Sequence, residues 1–255
     1  MALFKSGNPA LSDKIFQKSI ETQDSGTMTV KGTMSKFGLL LFLVIAGAIY
    51  SWNLYGAYRL DTMNTLMWVG AIGGFICAIV MSFKPQTAKY ISPIYSLLEG
   101  LFLGGISVLV NAALAKKAPN VIFQAIGLTF AVAIVMFFLY SFKIIKPTEK
   151  LKSTIISATL GVALFYGIAM ILNLFHVNLP FMYNSSALGI GLSLLVIVIA
   201  AMNLILDFDM IDQGSAMGAP KFMEWYCAFG LMVTIVWLYV EILKLMIRLF
   251  GNSRN

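Results

Sequence analysis

The sequence is poor in the residues that build metal centres and disulfide frameworks. It contains one histidine and two cysteines in 255 residues. Cys77 and Cys227 lie in separate apolar runs without CxxC spacing, so neither a disulfide framework nor a zinc site is indicated. Charged residues are also scarce, at 11% against about 25% in soluble domains, whereas 59% of the residues are hydrophobic. No soluble core could hide that much apolar surface, which excludes a soluble enzyme, a disordered chain and a nucleic-acid-binding domain.

Long apolar runs recur along the chain, and seven of them approach the length of about 20 residues that a membrane-spanning helix requires. They predict an all-α polytopic membrane protein, a seven-transmembrane helix bundle in contact with the lipid bilayer. The predicted spans are residues 37–57, 63–83, 91–114, 121–142, 153–175, 186–206 and 225–250. Residues 1–36 form a predicted polar cytosolic tail and residues 251–255 a short C-terminal tail. The short connections leave no room for a second domain.

The basic residues predict the orientation, because cytoplasmic segments carry an excess of Lys and Arg. With the N-terminus in the cytoplasm, twelve basic residues lie on the cytoplasmic side and six on the other. This favours a cytoplasmic N-terminus and an external C-terminus, and the polar start of the chain favours a bacterial inner membrane. A re-entrant or hairpin seventh segment is the alternative, since it would bring the basic Lys244, Arg248 and Arg254 inside.

Small residues form a stripe along the third predicted span. Gly100 and Gly104 make a GxxxG pair, and the other members recur at steps of three or four residues: Ser92, Ser96, Ser107 and Asn111. Such a stripe predicts a seam where another helix approaches closely. Packing without any chemistry is the simplest interpretation, and it applies equally to Gly70, Gly73 and Gly74 in the second span.

The acidic residues are the most informative feature, because six of only eleven lie in or at the ends of predicted spans. A charge near the bilayer centre costs at least about 2.5–3.5 kcal/mol, so such residues usually face the bundle interior and serve an ion or proton pathway. Anchoring of helix ends is the competing explanation. The six acids are Glu99, Asp207, Asp209, Asp212, Glu224 and Glu241. All of them except Glu241 fall in the predicted cytoplasmic half.

Helical geometry forces a choice between two of these aspartates. Residues two apart on a helix point about 200° apart, so Asp207 and Asp209 cannot both face the core. Asp207 shares a face with Asn203, whereas Asp209 shares one with Asp212 and Gln213. Spacing alone leaves open which of the two faces inward.

Glu241 presents a second open choice, deep in the seventh predicted span. Lys244 follows three residues later, so the two side chains can form a local ion pair. In that case Glu241 is a neutralised structural group. Without the pair, it is a carboxylate exposed to the low dielectric of the membrane.

Three segments carry a family resemblance. They are Tyr95-Ser-Leu-Leu-Glu99-Gly100-Leu-Phe-Leu-Gly104, Leu206-Asp207-Phe208-Asp209 and Trp237-Leu-Tyr239-Val-Glu241-Ile-Leu-Lys244-Leu. Together they resemble the Bax inhibitor family, also called transmembrane Bax inhibitor motif proteins, and in particular its bacterial YccA-like branch. The resemblance implies seven helices with the last one central, and a calcium leak pathway governed by a carboxyl pair of the sixth and seventh spans.

Within this resemblance, Asp209 and Glu241 match the two acids of the pair. Two nearby carboxylates in a low dielectric cannot both ionise easily, so they share a proton. Loss of that proton would create repulsion that opens the path, and it would leave hard oxygen ligands suited to Ca²⁺. The expected ligands are therefore protons and Ca²⁺, as a permeant ion or one bound at Asp209 and Glu241, and no other cofactor is expected. Asp207 and Glu99 are further ion- or proton-binding candidates, and Asp212 and Glu224 are secondary ones.

Other classes of function compete with the leak pathway. An enzyme is not expected, because the only histidine, His176, lies in a predicted outer loop and Asp207 and Asp209 share one span. The main alternative is a non-transporting regulator that binds another membrane protein, such as a quality-control protease, through its glycine seams and basic tail. A proton-coupled transporter comes third. Convergence of Glu99, Asp209 and Glu241 on one cavity would favour the leak pathway.

Overall fold

A computed structural model describes residues 26–175 and 186–251 and consists of long helices. Each of these seven helices is long and apolar enough to cross a membrane. They are α1 (Val30–Gly56), α2 (Leu60–Phe83), α3 (Ala88–Leu114), α4 (Val121–Ser141), α5 (Glu149–Leu174), α6 (Ala187–Ala216) and α7 (Met223–Phe250), with a 3-10 turn at Pro85–Thr87. The described ranges contain no strand, only a bridge between Thr27 and Pro220. The predicted all-α, seven-span class is confirmed, whereas His176 and most of both tails lie outside the described residues.

Among the helices that begin earlier than hydropathy predicts, two start directly after a capping threonine. Helix α1 begins at Val30 and not at residue 37, because the Thr29 side chain accepts a hydrogen bond from the backbone N–H of Gly32 at 3.0 Å. Helix α5 begins at Glu149 and not at residue 153, where Thr148 accepts one from Leu151 at 3.3 Å. A capping side chain satisfies a backbone donor that would otherwise be left over, so each helix extends outward to its cap.

The sixth predicted span ends at residue 206, but the corresponding helix, α6, continues to Ala216. The added turns bury Phe208 and Ile211, so helical continuation hides apolar surface. The helix then stops at Gly218, whose φ of +68° is the left-handed conformation of a helix C-terminus. The three acids predicted at the end of this span lie within the helix: Asp207, Asp209 and Asp212.

The described chain forms two compact units. The first comprises residues 26–110 and 207–233, and the second comprises residues 111–175, 186–206 and 234–251. Helices α6 and α7 are each divided between the two units, and the last turn of α3 belongs to the second. The polar contacts described below lie within one unit or the other.

In the first unit, α1 and α3 touch through glycines. A side chain added at Gly100 would overlap the carbonyl oxygen of Val44, and one added at Gly104 would place its Cβ 2.7 Å from the Cα of Ala48. Gly47 completes the contact from the α1 side. The predicted close approach along the small-residue stripe is confirmed, and α1 is the helix that packs there.

The helices differ widely in how much of their surface the protein covers. The spanning window of α5 is 11% buried, whereas that of α7 is 61% buried. Large apolar side chains such as Phe75, Phe123 and Leu164 are more than half exposed. This outward apolar surface suits hydrocarbon as its solvent, and α7 is the most enclosed of the described helices.

Candidate functional site

The six acids selected from the sequence differ in exposure, and four of them are buried. Asp207, Glu224 and Glu241 are at most 1% exposed and Glu99 is 9% exposed. Asp209 is partly exposed, and Asp212 is exposed. The buried acids belong to the first unit except for Glu241, which belongs to the second.

Helix α6 turns Asp207 inward and Asp209 towards the periphery of the first unit. Asp209 accepts a hydrogen bond from the Gln213 amide at 2.5 Å, one turn later on the same face. Asp207 is fully buried, and the Cys227 thiol lies within electrostatic range of both Asp207 and Glu224. Asp207 is therefore the inward-facing aspartate, which the spacing alone could not decide.

Glu99 lies on α3 with a hydroxyl as its partner. The Tyr95 hydroxyl, one helical turn earlier on the same face, lies close enough to interact with the Glu99 carboxylate. Gly74 of α2 leaves room for this carboxylate, because an added Cβ there would lie 3.0 Å from its Oε2 atom. The Tyr95 ring also meets Phe229 of α7 edge-on, with ring centroids 4.9 Å apart. Glu99 is thus held where α2 and α3 pack together.

Glu224 lies at the start of α7 in a cluster of ionic and hydrogen-bonded groups, here called the Glu224 cluster (Thr29, Lys36, Lys221 and Glu224). Its Oε1 atom accepts hydrogen bonds from the Thr29 backbone N–H at 3.0 Å and the Thr29 hydroxyl at 2.9 Å. Lys221 lies 2.9 Å from the same oxygen, and Lys36 binds Oε2. Gly32 faces the carboxylate, and any side chain there would overlap it.

Backbone contacts join the same two parts of the chain. The N–H of Met28 donates to the carbonyl of Ala219 at 2.6 Å, and that of Lys221 donates to Gly26 at 3.1 Å. The residues before α1 are therefore tied to the α6–α7 connection by backbone as well as by side chains. From the sequence, Glu224 is only a secondary candidate, and its partners Thr29 and Lys36 are not predicted.

The second unit holds the Glu241 cluster (Tyr166, Glu241 and Lys244). The Tyr166 hydroxyl donates to Oε2 of Glu241 at 3.1 Å, and Lys244 donates to Oε1 at 2.9 Å. The Lys244 ammonium also lies over the Tyr166 ring, 4.4 Å from its centroid. Of the two alternatives for Glu241, the structure contains the local ion pair.

Arg248 is a buried cation that the sequence interpretation treated only as part of a basic chain end. It is 6% exposed, and its guanidinium donates hydrogen bonds to the carbonyl of Gly189 and the hydroxyl of Ser193. Arg248 lies two turns after Glu241 on α7, on the same side of the helix. This spacing is the one feature of the sequence that predicts an interior position for Arg248.

Tyr166→Phe should destabilise the protein by about 1.5–3 kcal/mol, because it removes a hydrogen bond to a charged acceptor. The Glu241 carboxylate would keep Lys244 but lose its second donor. Thermal unfolding in detergent measures the effect. Tyr50→Phe is the matched control, because Tyr50 is half exposed. Equal melting temperatures for the two variants would contradict the prediction.

No group of three or more metal-binding side chains occurs within residues 26–175 and 186–251. Asp209 belongs to the first unit and Glu241 to the second, and each has a neighbour in its own unit, namely Gln213 and Lys244. Glu224 and Glu241 are neutralised by lysines. Glu99 differs, because its described partner is a hydroxyl and not a cation.

Comparison with known families identifies the chain. A family model described as Bax inhibitor 1 like matches residues 8–251, which include all seven helices. The chain belongs to the Bax inhibitor 1-like family. Membership in this family supports a multi-pass integral membrane protein, in agreement with the seven apolar helices. No curated protein matches the sequence of this Bax inhibitor 1-like chain.

Proposed function

We propose that this Bax inhibitor 1-like protein is a pH-sensitive leak pathway for Ca²⁺ or other cations, gated by carboxylates within the membrane. One observation carries the proposal, namely the burial of Glu99 inside the first unit without an ion pair to a lysine or arginine among the described residues. A carboxylate without a fixed counter-ion can exchange a proton for a metal cation. The proposed setting is a bacterial inner membrane, with a cytoplasmic N-terminus and an external C-terminus.

Burying an ionised side chain in a membrane protein is costly. An ionised carboxylate inside a membrane protein needs a proton, a cation or strong hydrogen bonds, and such groups usually mark ion or proton pathways. Asp207, fully buried on α6, adds a second acid to the interior of the first unit. Carboxylate oxygens are also the ligands that Ca²⁺ prefers.

Calcium flux into dye-loaded liposomes tests the proposal directly. We expect flux to vary with pH between about 6 and 8, where carboxyl groups that share protons in a low dielectric titrate. Glu99→Gln should abolish that variation, because the amide cannot change its charge. The same assay then ranks the contributions of the remaining acids to this pH variation, with the variants Asp207→Asn, Asp209→Asn and Glu241→Gln.

Asp61→Asn serves as the matched control, because Asp61 is an exposed acid in the first turn of α2. It should leave both the flux and its pH variation unchanged. Flux no greater than in protein-free liposomes at any pH would overturn the leak proposal. Equal loss in Glu99→Gln and Asp61→Asn would remove Glu99 from the mechanism.

A non-transporting regulator is the second candidate, and the lysine-paired acids favour it. Glu224 and Glu241 are each held by lysines at 2.9 Å, as expected of groups that fix helix packing. In this role the protein binds another membrane protein, such as a quality-control protease. Silent liposomes together with a specific crosslinked membrane partner would support the regulator and exclude the leak pathway.

A further inference from the structure

Three buried hydroxyl groups in the first unit have no hydrogen-bond partner among the described residues. They belong to Ser92 and Ser96 of α3 and to Tyr226 of α7, and all three residues are 0% exposed. Buried hydroxyl groups are almost always hydrogen-bonded, to protein or to ordered water. Three exceptions in one unit need a physical explanation.

Other helical hydroxyls in this protein are satisfied locally. Ser107, on the same helix α3, donates to the carbonyl of Leu103 at 2.5 Å, and Thr129 of α4 donates to Ala125 at 2.8 Å. This bond to the preceding turn is the usual solution for Ser and Thr in membrane helices. Ser92 and Ser96 do not adopt it, although the same solution is open to them.

Pro93 lies between the two serines and adds to the polar surface there. It is inside α3 and has no N–H, so the carbonyl of Lys89 loses its usual helical donor. Such carbonyls in membrane helices are satisfied by neighbouring groups or by ordered water. This turn of α3 therefore offers both hydroxyl groups and a backbone acceptor.

The contact between Tyr95 and Phe229 sets the level of these groups in the first unit. Ser92 lies about one turn before Tyr95 on α3, and Tyr226 lies one turn before Phe229 on α7. Because odd-numbered spans cross a membrane in the same direction, Ser92 and Tyr226 lie at a similar depth. Ser96 lies one turn after Ser92 along α3, and Glu99 lies in the following turn.

We propose that Ser92, Ser96 and Tyr226 bind water molecules inside the first unit, beside the pair formed by Tyr95 and Glu99. A buried water needs several polar partners, and Ser92 and Ser96 lie one turn apart on one face of α3, so both can serve the same water. Hydrogen-bonded water and hydroxyl groups then give Glu99 a route for proton exchange. This hydration site does not depend on ion conduction, so it stands or falls separately from the proposed function.

Radiolytic hydroxyl-radical labelling in lipid nanodiscs tests for this water, because radicals generated from bound water attack the side chains beside it. We expect Tyr226 to be labelled about fivefold or more faster than Tyr239, since buried water sits only where several polar groups meet. Tyr239 is the internal control, a buried tyrosine farther along α7 at 8% exposure. Equal labelling rates at the two tyrosines would overturn the proposal.

The double variant Ser92→Ala with Ser96→Ala provides a second, independent measurement. If the serines bind water, the variant should lower Tyr226 labelling by about half or more and should not raise the melting temperature. If the site is dry, removal of two unsatisfied hydroxyls should raise the melting temperature and leave labelling unchanged, which would overturn the proposal. Ser107→Ala controls for serine removal, because its hydroxyl bonds to Leu103. Neither readout uses transport.

Discussion

Glu224→Ala is expected to lower the free energy of unfolding by about 3 kcal/mol, because removal of one member of a buried ion pair strands the others. The carboxylate is fully buried and binds Lys36, Lys221 and Thr29. The expected loss lies at the lower end of the usual range for breaking a buried ion pair. The side chains of Lys36 and Lys221 are 19% and 47% exposed, so both can turn towards water when the carboxylate is removed. The same change should release the residues before α1.

Two measurements check this expectation against one control. Thermal unfolding in detergent reports the stability, and trypsin cleavage after the exposed Lys31 reports release of the N-terminal segment. Asp61→Asn is the matched control, because Asp61 is an exposed acid in the first turn of α2 and should contribute less than about 1 kcal/mol. If Glu224→Ala behaves like Asp61→Asn in both assays, the Glu224 cluster does not hold the segment.

Gly100→Ala should destabilise the protein by about 3 kcal/mol, at the upper part of the usual range for overpacking. The new methyl group would overlap the carbonyl oxygen of Val44, and backbone atoms cannot rotate away as a flexible side chain can. Helix α1 would have to move off α3. The contact that Gly47 and Gly104 make would be disturbed at the same time.

Gly161→Ala provides a control with the opposite sign. Gly161 is exposed on α5 with no atom within 4 Å of an added Cβ, so alanine should stabilise the helix by up to about 1 kcal/mol. Melting temperatures that move in opposite directions for the two variants would support the glycine seam. A Gly100→Ala protein as stable as the parent would show that α1 and α3 separate without cost.

The apolar runs predicted the number of helices well, because a spanning helix must be long and apolar whatever its neighbours are. The ends were harder to predict, since they depend on single residues. Thr29 extends α1 by capping it, and Gly218 ends α6 well beyond its apolar run. Hydropathy averages over many residues and cannot register either effect.

The candidate acids could also be chosen from the sequence, because charge inside an apolar run is visible without a structure. Their partners could not, because they come from distant parts of the chain. Lys36 binds Glu224 across 188 positions, and Tyr166 binds Glu241 across 75. Partners one turn away are different, because spacing alone can place Lys244 beside Glu241 and Lys221 beside Glu224, each three residues from its acid.

The hydrogen bonds between Thr29 and Glu224 also impose an order on biosynthesis. The two residues are 195 positions apart, so the threonine leaves the ribosome about 10–40 s before its partner at ordinary translation rates. During that interval the start of α1 lacks both hydrogen bonds to Glu224. Closure of the Glu224 cluster can follow only when the seventh helix begins to emerge, so it marks the last stage of membrane insertion.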